Sequence, residues 1–405
     1  MKKFNKFLSV AVASAMVMAM AGCGNTDNGS AATGTNAATE SAAASDSAAS
    51  SSVFKIGGIG PTTGGAAVYG LAVQHGAEIA VEEINAAGGI NGYQVEFKFQ
   101  DDEADAEKSV NAYNALKDWG AQIIDGSTTS GACIAVTDKT KEDNMFQITP
   151  SGSAVECVQY DNNFRVCFSD PNQGLASAQY IGENGLAEKI AVIYDSSDVY
   201  SSGIYEKFAK EAENQPFEIV AAEAFTADNK TDFSVQLQKA KDAGADMVFL
   251  PIYYQESALI LTQAAAMGYA PKWFSCDGMD GILGGVDNFD VSLTEGVMLL
   301  TPFAADATDD LTQSFVTKYK EKYGETPNQF AADSYDAIYV IKAAIEKSGV
   351  TPDMSVSDIC DGMKAAMTEI TVDGLTGNGM TWTADGEANK APKAVVIENG
   401  AYKAM

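Results

Sequence analysis

Residues 121–150 read AQIIDGSTTSGACIAVTDKTKEDNMFQITP, and they contain the repeating unit that decides the fold. AQIIDG and MFQITP are short runs typical of strands, whereas GACIAVTDKTKED between them has the length and pattern of a helix. A strand, a helix and a second strand in this order predict two parallel strands joined by a right-handed crossover. The loop GSTTSGA then follows the carboxyl end of the first strand.

The same alternation fills the body of the chain, which runs from Val53 to Met405. A first series extends from VFKIGGIG to MFQITP. FRVCFSDPNQG then crosses over, and a second series extends from EKIAVIYD to KWFSC. Two series of similar size predict an α/β fold with two doubly wound lobes, each built on a parallel sheet. A body of this length can supply two domains with good cores.

The N-terminal residues predict export and a lipid anchor. Residues 1–22 have the layout of a secretory signal peptide, with three lysines, a short apolar run and then small residues. The small pair before Cys23 resembles the bacterial lipobox, whose cysteine is lipidated; ordinary cleavage beside an incidental cysteine is the alternative. After Cys23, the rest of segment 23–52 has no large apolar side chain, so we expect a flexible tether. We therefore expect a lipid-anchored protein on the extracellular face of the cytoplasmic membrane, the periplasmic side in a Gram-negative cell.

The composition argues against several classes of function. A formal net charge of −29 disfavours nucleic acid as a partner, because affinity for it rests on lysine and arginine meeting phosphates. The single histidine, His75, argues against both a zinc site and a Ser-His-Asp triad. We therefore expect no catalytic residue, no metal and no cofactor. Cys157 and Cys167 are ten residues apart, and the sequence leaves open whether they form a disulfide.

Ligands of open α/β sheets bind beyond the carboxyl ends of the strands, near helix N-termini. Six loops fall at such positions: GPTTGGAAVYG, GSTTSGA, TPSGSA, DSSDVYSSG, PIYYQES and SCDGMDG. Ser130 in GSTTSGA is by default a helix N-cap, but with the free N–H groups of that helix it could also hold a carboxylate. GSTTSGA and TPSGSA contain no lysine or arginine and no GxSxG motif, which disfavours phosphate and a nucleophilic serine.

A ligand that also carries a cation needs an acidic or aromatic counterpart. Asp277 in SCDGMDG is the best-placed acid, although a turn aspartate is the alternative interpretation. The strand-end loops also contain four tyrosines that could line an apolar pocket or contact an ammonium group, or simply belong to the edge of the core. These are Tyr69, Tyr200, Tyr253 and Tyr254.

Over essentially all of Val53 to Met405 the chain resembles the leucine/isoleucine/valine-binding family, the extracellular receptors of ABC importers for branched-chain amino acids. The motifs that carry the resemblance are GPTTGGAAVYG, AVEEINAAGGINGYQVEFKFQDDEAD, TTSGA, ITPSGSA, FRVCFSDPNQG and YDSSDVYSSG, in this order. The fold that the resemblance implies is of the type I periplasmic-binding kind, with two lobes joined by a three-strand hinge. Two departures are visible: the ammonium-binding acid, often glutamate, is Asp277, and the first-lobe disulfide of well-known members is missing.

The resemblance also implies roles for particular residues. Ser130 and Ser153 fall on the positions that bind the ligand carboxylate. Ser151, through its carbonyl, and Asp277 fall on those that bind the ammonium group. The remaining residues fall on or near pocket positions: Tyr69, Tyr200, Tyr253, Tyr254 and Phe330.

The function implied is that of a substrate-binding protein that closes by a hinge over an amino acid, branched-chain or another small apolar one, and presents it to ABC permease subunits. We expect a monomer with three crossovers near residues 170, 302 and 382. Lobe 1 would comprise 53–171 and 303–382, and lobe 2 would comprise 172–302 and 383–405.

Three alternatives remain at this point. The ligand could be another small carboxylate, an amide or a urea-type molecule. The protein could act as a sensor and not in transport. A serine-type amidase or esterase using Ser130 and Asp277 is disfavoured, because His75 lies outside the strand-end loops.

Overall fold

The computed structural model describes residues 52–405, and the predicted signal peptide, Cys23 and nearly all of the predicted tether lie outside this range. In the described part, the N-terminal portion forms a five-stranded sheet in which all neighbouring strands are parallel, in the order β2-β1-β3-β4-β5. Its strands are β1 (Phe54–Gly60), β2 (Val95–Asp101), β3 (Ile123–Asp125), β4 (Phe146–Thr149) and β5 (Asn163–Arg165).

Helices connect the strands of this first sheet as the alternation predicts. They are α1 (Ala67–Ala86), α2 (Ala106–Trp119) and α3 (Ser130–Asp143). Every residue of β4 is buried, as expected for a parallel strand covered by helices on both faces. One element differs from the prediction, because β5 pairs with β4 within a segment that was interpreted only as a crossover.

A second sheet has seven strands in the order β12-β11-β10-β9-β8-β6-β7. Its strands are β6 (Lys189–Asp195), β7 (Glu218–Phe225), β8 (Met247–Leu250), β9 (Lys272–Ser275), β10 (Met298–Thr301), β11 (Lys393–Glu398) and β12 (Ala401–Ala404). The helices before and between them are α4 (Asp170–Glu183), α5 (Val199–Ala212), α6 (Ser234–Asp242) and α7 (Tyr254–Ala266). The strands from β6 to β10 are parallel, whereas β11 and β12 add an antiparallel edge that the alternation alone does not predict.

After β10 the chain returns to the first sheet. Helices α8 (Asp310–Tyr323), α9 (Gln329–Ser348) and α10 (Val356–Met367) follow, and α9 packs along α1. The two helices approach closely at Gly76, where a Cβ atom would lie 2.0 Å from the carbonyl oxygen of Ala331. Glu83 of α1 accepts hydrogen bonds from Tyr335 (2.7 Å) and Tyr339 (2.9 Å) of α9.

The predicted fold class is therefore confirmed, with mixed α/β structure and parallel sheets in two lobes. The carboxyl ends of strands in both sheets lead into the six loops that the sequence singles out. Within residues 52–405, no helix has both the length and the apolar character needed to cross a membrane.

Candidate ligand-binding site

Loops from both sheets line one small cavity, whose free volume of about 10 Å³ is that of a single water-sized sphere. All predicted site residues within the described range line it, with Tyr254 as the exception. Sequence reasoning missed three further lining residues. The lining consists of Tyr69, Thr128, Thr129, Ser130, Ser151, Ser153, Tyr200, Tyr253, Asp277, Gly278 and Phe330.

One end of the cavity, here called the hydroxyl end, consists of Thr129, Ser130, Ser151 and Ser153. The interpretation of Ser130 as a helix N-cap is wrong: the cap position is Thr129, and Ser130 is already the first residue of α3. Its side chain therefore turns away from its own helix towards the next loop. Ser130 Oγ accepts hydrogen bonds from the backbone N–H of Ser153 (3.2 Å) and of Ala154 (3.1 Å).

Two buried hydroxyl groups of the hydroxyl end have no hydrogen-bond partner, Thr129 Oγ1 and Ser153 Oγ. The first N–H groups of α3 also have no partner within the helix, as at every helix N-terminus. A buried polar group without a partner costs about 1–3 kcal/mol, so such groups are rare unless they serve a function. Ser151 is different, because its Oγ donates to Thr128 O (2.6 Å) and fixes the loop. The hydroxyl end can accordingly hold an oxyanion.

Arg165 shapes the hydroxyl end from behind, and sequence reasoning missed it. It is fully buried on β5, and its guanidinium donates to the carbonyl oxygens of Gly152, Ser153 and Ala154. Because this turns the carbonyl oxygens towards Arg165, the N–H groups of the same loop face Ser130. The sequence contains one indication that this residue is special, because Arg165 is the only arginine in the chain.

Two residues from the C-terminal part of the chain hold Arg165 in place. The indole N–H of Trp382 donates to the backbone carbonyl of Arg165 (2.8 Å). The carboxylate of Glu387 lies 3.3 Å from the guanidinium. The side chain of Arg165 is 0 % exposed, so this ion pair is only partly screened by solvent. Nothing in the motifs near residue 165 indicates partners more than 200 positions away.

A second part of the cavity lining, here called the acidic end, consists of Tyr200, Asp277 and Gly278. Tyr200 Oη donates to Asp277 Oδ1 (2.7 Å) and accepts from the N–H of Gly278 (2.9 Å). Burial raises the pKa of Asp277 to about 7, against the lowering effect of hydrogen bonds from Tyr200 and Gln173. A cation placed beside Asp277 would favour its ionised form again.

Aromatic rings form another part of the cavity wall. Tyr69 of α1 lies 4.3 Å from Phe330 and 5.5 Å from Tyr253 between ring centroids, and Tyr253 stacks on Tyr200 at 5.0 Å. Burial raises the pKa values of Tyr69, Tyr200 and Tyr253 well above the usual range, so these rings are neutral. The wall is apolar, with a few fixed hydroxyl groups.

Tyr69 also bridges elements of the two sheets. Its hydroxyl donates to the carbonyl of Gly278 and accepts from the N–H of Tyr254 (3.2 Å). The ring of Tyr254 packs edge-on against Tyr69 at 5.1 Å but does not line the cavity. Tyr254 therefore supports Tyr69 instead of facing the cavity itself.

The cavity lining thus combines an oxyanion site, a carboxyl group and apolar rings. No lysine, arginine or histidine occurs among its lining residues. A molecule with a carboxylate, an ammonium group and a small apolar part matches this arrangement of groups.

Comparison with known proteins gives a consistent result. The family model described as periplasmic binding protein matches residues 53–401. A Leu/Ile/Val-binding protein homolog 3 from Brucella melitensis is 31% identical over 300 residues, which cover 74% of this chain and 80% of that protein. A leucine-, isoleucine-, valine-, threonine- and alanine-binding protein from Pseudomonas aeruginosa is 30% identical over 306 residues, 74% of this chain and 79% of that protein.

Among solved structures, the chain is similar to the branched-chain amino acid transporter substrate binding protein LivJ from Streptococcus pneumoniae in complex with isoleucine. The two share 29% sequence identity with a TM-score of 0.78, over 87% of this chain and 98% of that one. The family consists of non-enzymatic transport components that act outside the cytoplasm. The chain belongs to the periplasmic binding protein family and is a substrate-binding protein of the branched-chain amino acid ABC transporter type.

Proposed function

We propose that the protein binds one amino acid, branched-chain or another small apolar one, in this cavity and delivers it to ABC permease subunits. The observation that carries the proposal is that the unpartnered Ser153 and Thr129 hydroxyl groups line the same cavity as Asp277. An α-amino acid carries a carboxylate and an ammonium group on one carbon, and the two ends of the cavity complement these charges. The similarity to LivJ, solved with isoleucine, supports the same ligand class.

In this proposal Ser130 and Ser153 bind the carboxylate together with the N–H groups of α3. The carbonyl of Ser151 and the carboxylate of Asp277 accept from the ammonium group. The side chain lies against the aromatic wall, which is made of Tyr69, Tyr200, Tyr253 and Phe330, with Tyr254 behind it. Hinge closure brings the two ends together.

The proposed lobes use discontinuous segments of the chain. Lobe 1 comprises 53–171 and 303–382, and lobe 2 comprises 172–302 and 383–405. The two sheets support this division, since the first is built from strands before residue 166 and the second from strands after residue 188. The return of α8–α10 to the first sheet supports it as well.

We further propose that the protein is exported, loses residues 1–22 and is anchored by lipid on Cys23 as a monomer. The lipobox-like sequence before Cys23 supports the anchor. In cells grown with a radiolabelled fatty acid, the wild-type protein should carry the label and Cys23→Ser should not. Equal labelling of the variant, or no labelling of the wild type, would argue against lipidation of Cys23.

Calorimetric titration tests the ligand class. The Cys23→Ser chain is titrated with leucine, isoleucine, valine, alanine and glycine, and with benzoate, acetamide and urea for comparison. At least one amino acid should bind at a ratio of one to one. Binding only of a compound that lacks the ammonium group would replace the proposed ligand class, and no binding at all would contradict the proposal.

Ser130→Ala tests the site itself. The variant loses the acceptor for two backbone N–H groups, so we expect affinity to fall by about 2- to 10-fold, the loss of a hydrogen bond of roughly 0.5–1.5 kcal/mol. Ser234→Ala, at an exposed position on α6, is the control and should bind like the wild type. Equal affinity of Ser130→Ala and Ser234→Ala would remove Ser130 from the site.

A further inference from the structure

Cys133 and Cys157 lie together directly beneath the hydroxyl end. Both side chains are 0 % exposed, and they share a small buried cluster with Ala154. Cys133 follows Ser130 by three positions on α3, so the two project from the same face of the helix. Cys157 lies in a short 3-10 turn, and its Sγ is 3.7 Å from the carbonyl oxygen of Ser130. The two thiols therefore approach each other from α3, which follows the loop GSTTSGA, and from the turn that follows the loop TPSGSA.

The other cysteines of the described range have different surroundings. Cys276 Sγ lies 3.6 Å from the hydroxyl of Ser177, beneath the second sheet. Cys360 belongs to the core that α10 covers. Cys167, which the sequence left open as a partner of Cys157, is not part of the cluster that holds Cys133 and Cys157.

We infer that Cys133 and Cys157 form a disulfide when the chain folds in an oxidising compartment, and that this bond fastens the two loops of the hydroxyl end to each other. The first part stands on the position of the thiols alone. The importance of this bond for ligand binding rests on the proposed function.

The two thiols differ in acidity in the folded, reduced protein. A hydrogen bond with the Cys157 side chain lowers the pKa of the Cys133 thiol, and the N-terminal turn of α3 favours a thiolate there. Burial raises the pKa of the Cys157 thiol. Before packing is complete these shifts are absent, so either thiol can attack first, and the steps are the same with Cys133 and Cys157 exchanged.

Disulfide exchange then proceeds in two steps. The Cys133 thiolate attacks one sulfur of an external disulfide, of a small molecule or a protein, and one thiolate leaves. Cys157 gives its proton to solvent and attacks the Cys133 sulfur of the mixed disulfide, and the second thiolate leaves. Two thiol protons are lost, one S–S bond breaks and one forms, and the two electrons pass to the external disulfide.

Because both sulfur atoms are fully buried, the exchange must take place before lobe packing is complete. An oxidant present during folding should form the bond efficiently. The same oxidant added to the folded, reduced protein should act much more slowly.

Peptide mapping tests the pairing. The full chain carrying Cys23→Ser is refolded with a mixture of oxidised and reduced glutathione and digested with trypsin without reduction. Cleavage after Lys139, Lys141 and Arg165 places Cys133, Cys157 and Cys167 on three separate peptides. We expect one cross-linked pair that contains Cys133 and Cys157. A pair that contains Cys167, or five free thiols after refolding, would overturn the inference.

Thermal melting tests whether the bond stabilises the fold by fastening the two loops. The oxidised protein should melt about 3–10 °C above its reduced form, because the bond closes a loop in the unfolded chain. Cys133→Ala should abolish this dependence on reductant, whereas Cys167→Ala, at another buried cysteine, should keep it. An equal Tm for the oxidised and reduced wild type would show that the bond does not fasten the loops. Since neither measurement needs a ligand, a wrong ligand class would leave both results unchanged.

Discussion

The hydroxyl end of the cavity is built from backbone and hydroxyl groups held by a buried arginine, whereas the acidic end depends on one carboxyl group. At the hydroxyl end several neutral groups can donate hydrogen bonds to a ligand, and none of them titrates near neutral pH. At the acidic end Asp277 alone supplies the charge, and burial has moved its pKa to about 7. A site made of several neutral donors therefore tolerates the loss of any one of them. A site that depends on one charged group is sensitive both to mutation of that group and to pH.

The sharpest way to break this comparison is Asp277→Asn. The variant keeps the shape of the residue but removes the charge that the ammonium group would meet, so we expect affinity to fall by about 100-fold, as for truncation of one partner of a buried charge pair. Calorimetry with the best ligand measures the effect. Asp287→Asn, at an exposed position of the same connection, is the matched control. A loss smaller than about threefold would mean that the ammonium group lies elsewhere.

The pH dependence of binding sharpens the comparison with a smaller effect. Asp277 must be ionised to pair with an ammonium group, so affinity should fall as the pH drops through about 7 and be roughly tenfold weaker at pH 6 than at pH 8. Asp198 and Asp333, both with pKa values raised to about 6 by burial, could add to the trend. The residual slope of Asp277→Asn isolates the part due to Asp277. An unchanged slope in that variant would assign the effect to other groups.

Arg165→Lys should give the smallest change in binding and a clear loss of stability. A lysine cannot donate to three carbonyl oxygens in the planar arrangement of a guanidinium, so the loop that contains Ser153 should loosen. We expect affinity to fall by about 3- to 10-fold, and Tm to fall by several degrees. Lys364→Ala, which removes two ion pairs at the surface, is the control for stability. Wild-type affinity in Arg165→Lys would show that the hydroxyl end holds its shape without the guanidinium.

Much of the fold was predictable because parallel strands and crossover helices produce a regular pattern. The alternation in residues 121–150 identified β3, α3 and β4 correctly. β5 was missed because three residues are too few to show a period, and the antiparallel edge was missed because β11 and β12 carry no helix between them.

The site was predictable only as far as strand ends determine it. The strand-end rule brought together Ser130, Ser153 and Asp277, which are far apart in sequence. The rule could not identify Arg165, because this side chain does not line the cavity and its partners lie in distant segments of the chain. The N-cap interpretation of Ser130 failed because statistics on helix starts do not distinguish the cap from the first helical residue, where the hydroxyl faces another loop.

The hydrogen bonds made by Tyr69 affect how many receptors are closed without a ligand. Its hydrogen bonds to Gly278 and Tyr254 connect α1 to segments that follow strands of the second sheet, without using any atom of a ligand. In a hinged receptor such contacts set how many molecules are closed before a ligand arrives, because they lower the free energy of the closed form by a fixed amount. Closed receptors without a ligand would compete with ligand-bound receptors for the permease. The strength of the Tyr69 hydrogen bonds would thus help to set the fraction of permeases that are occupied by receptors without a ligand.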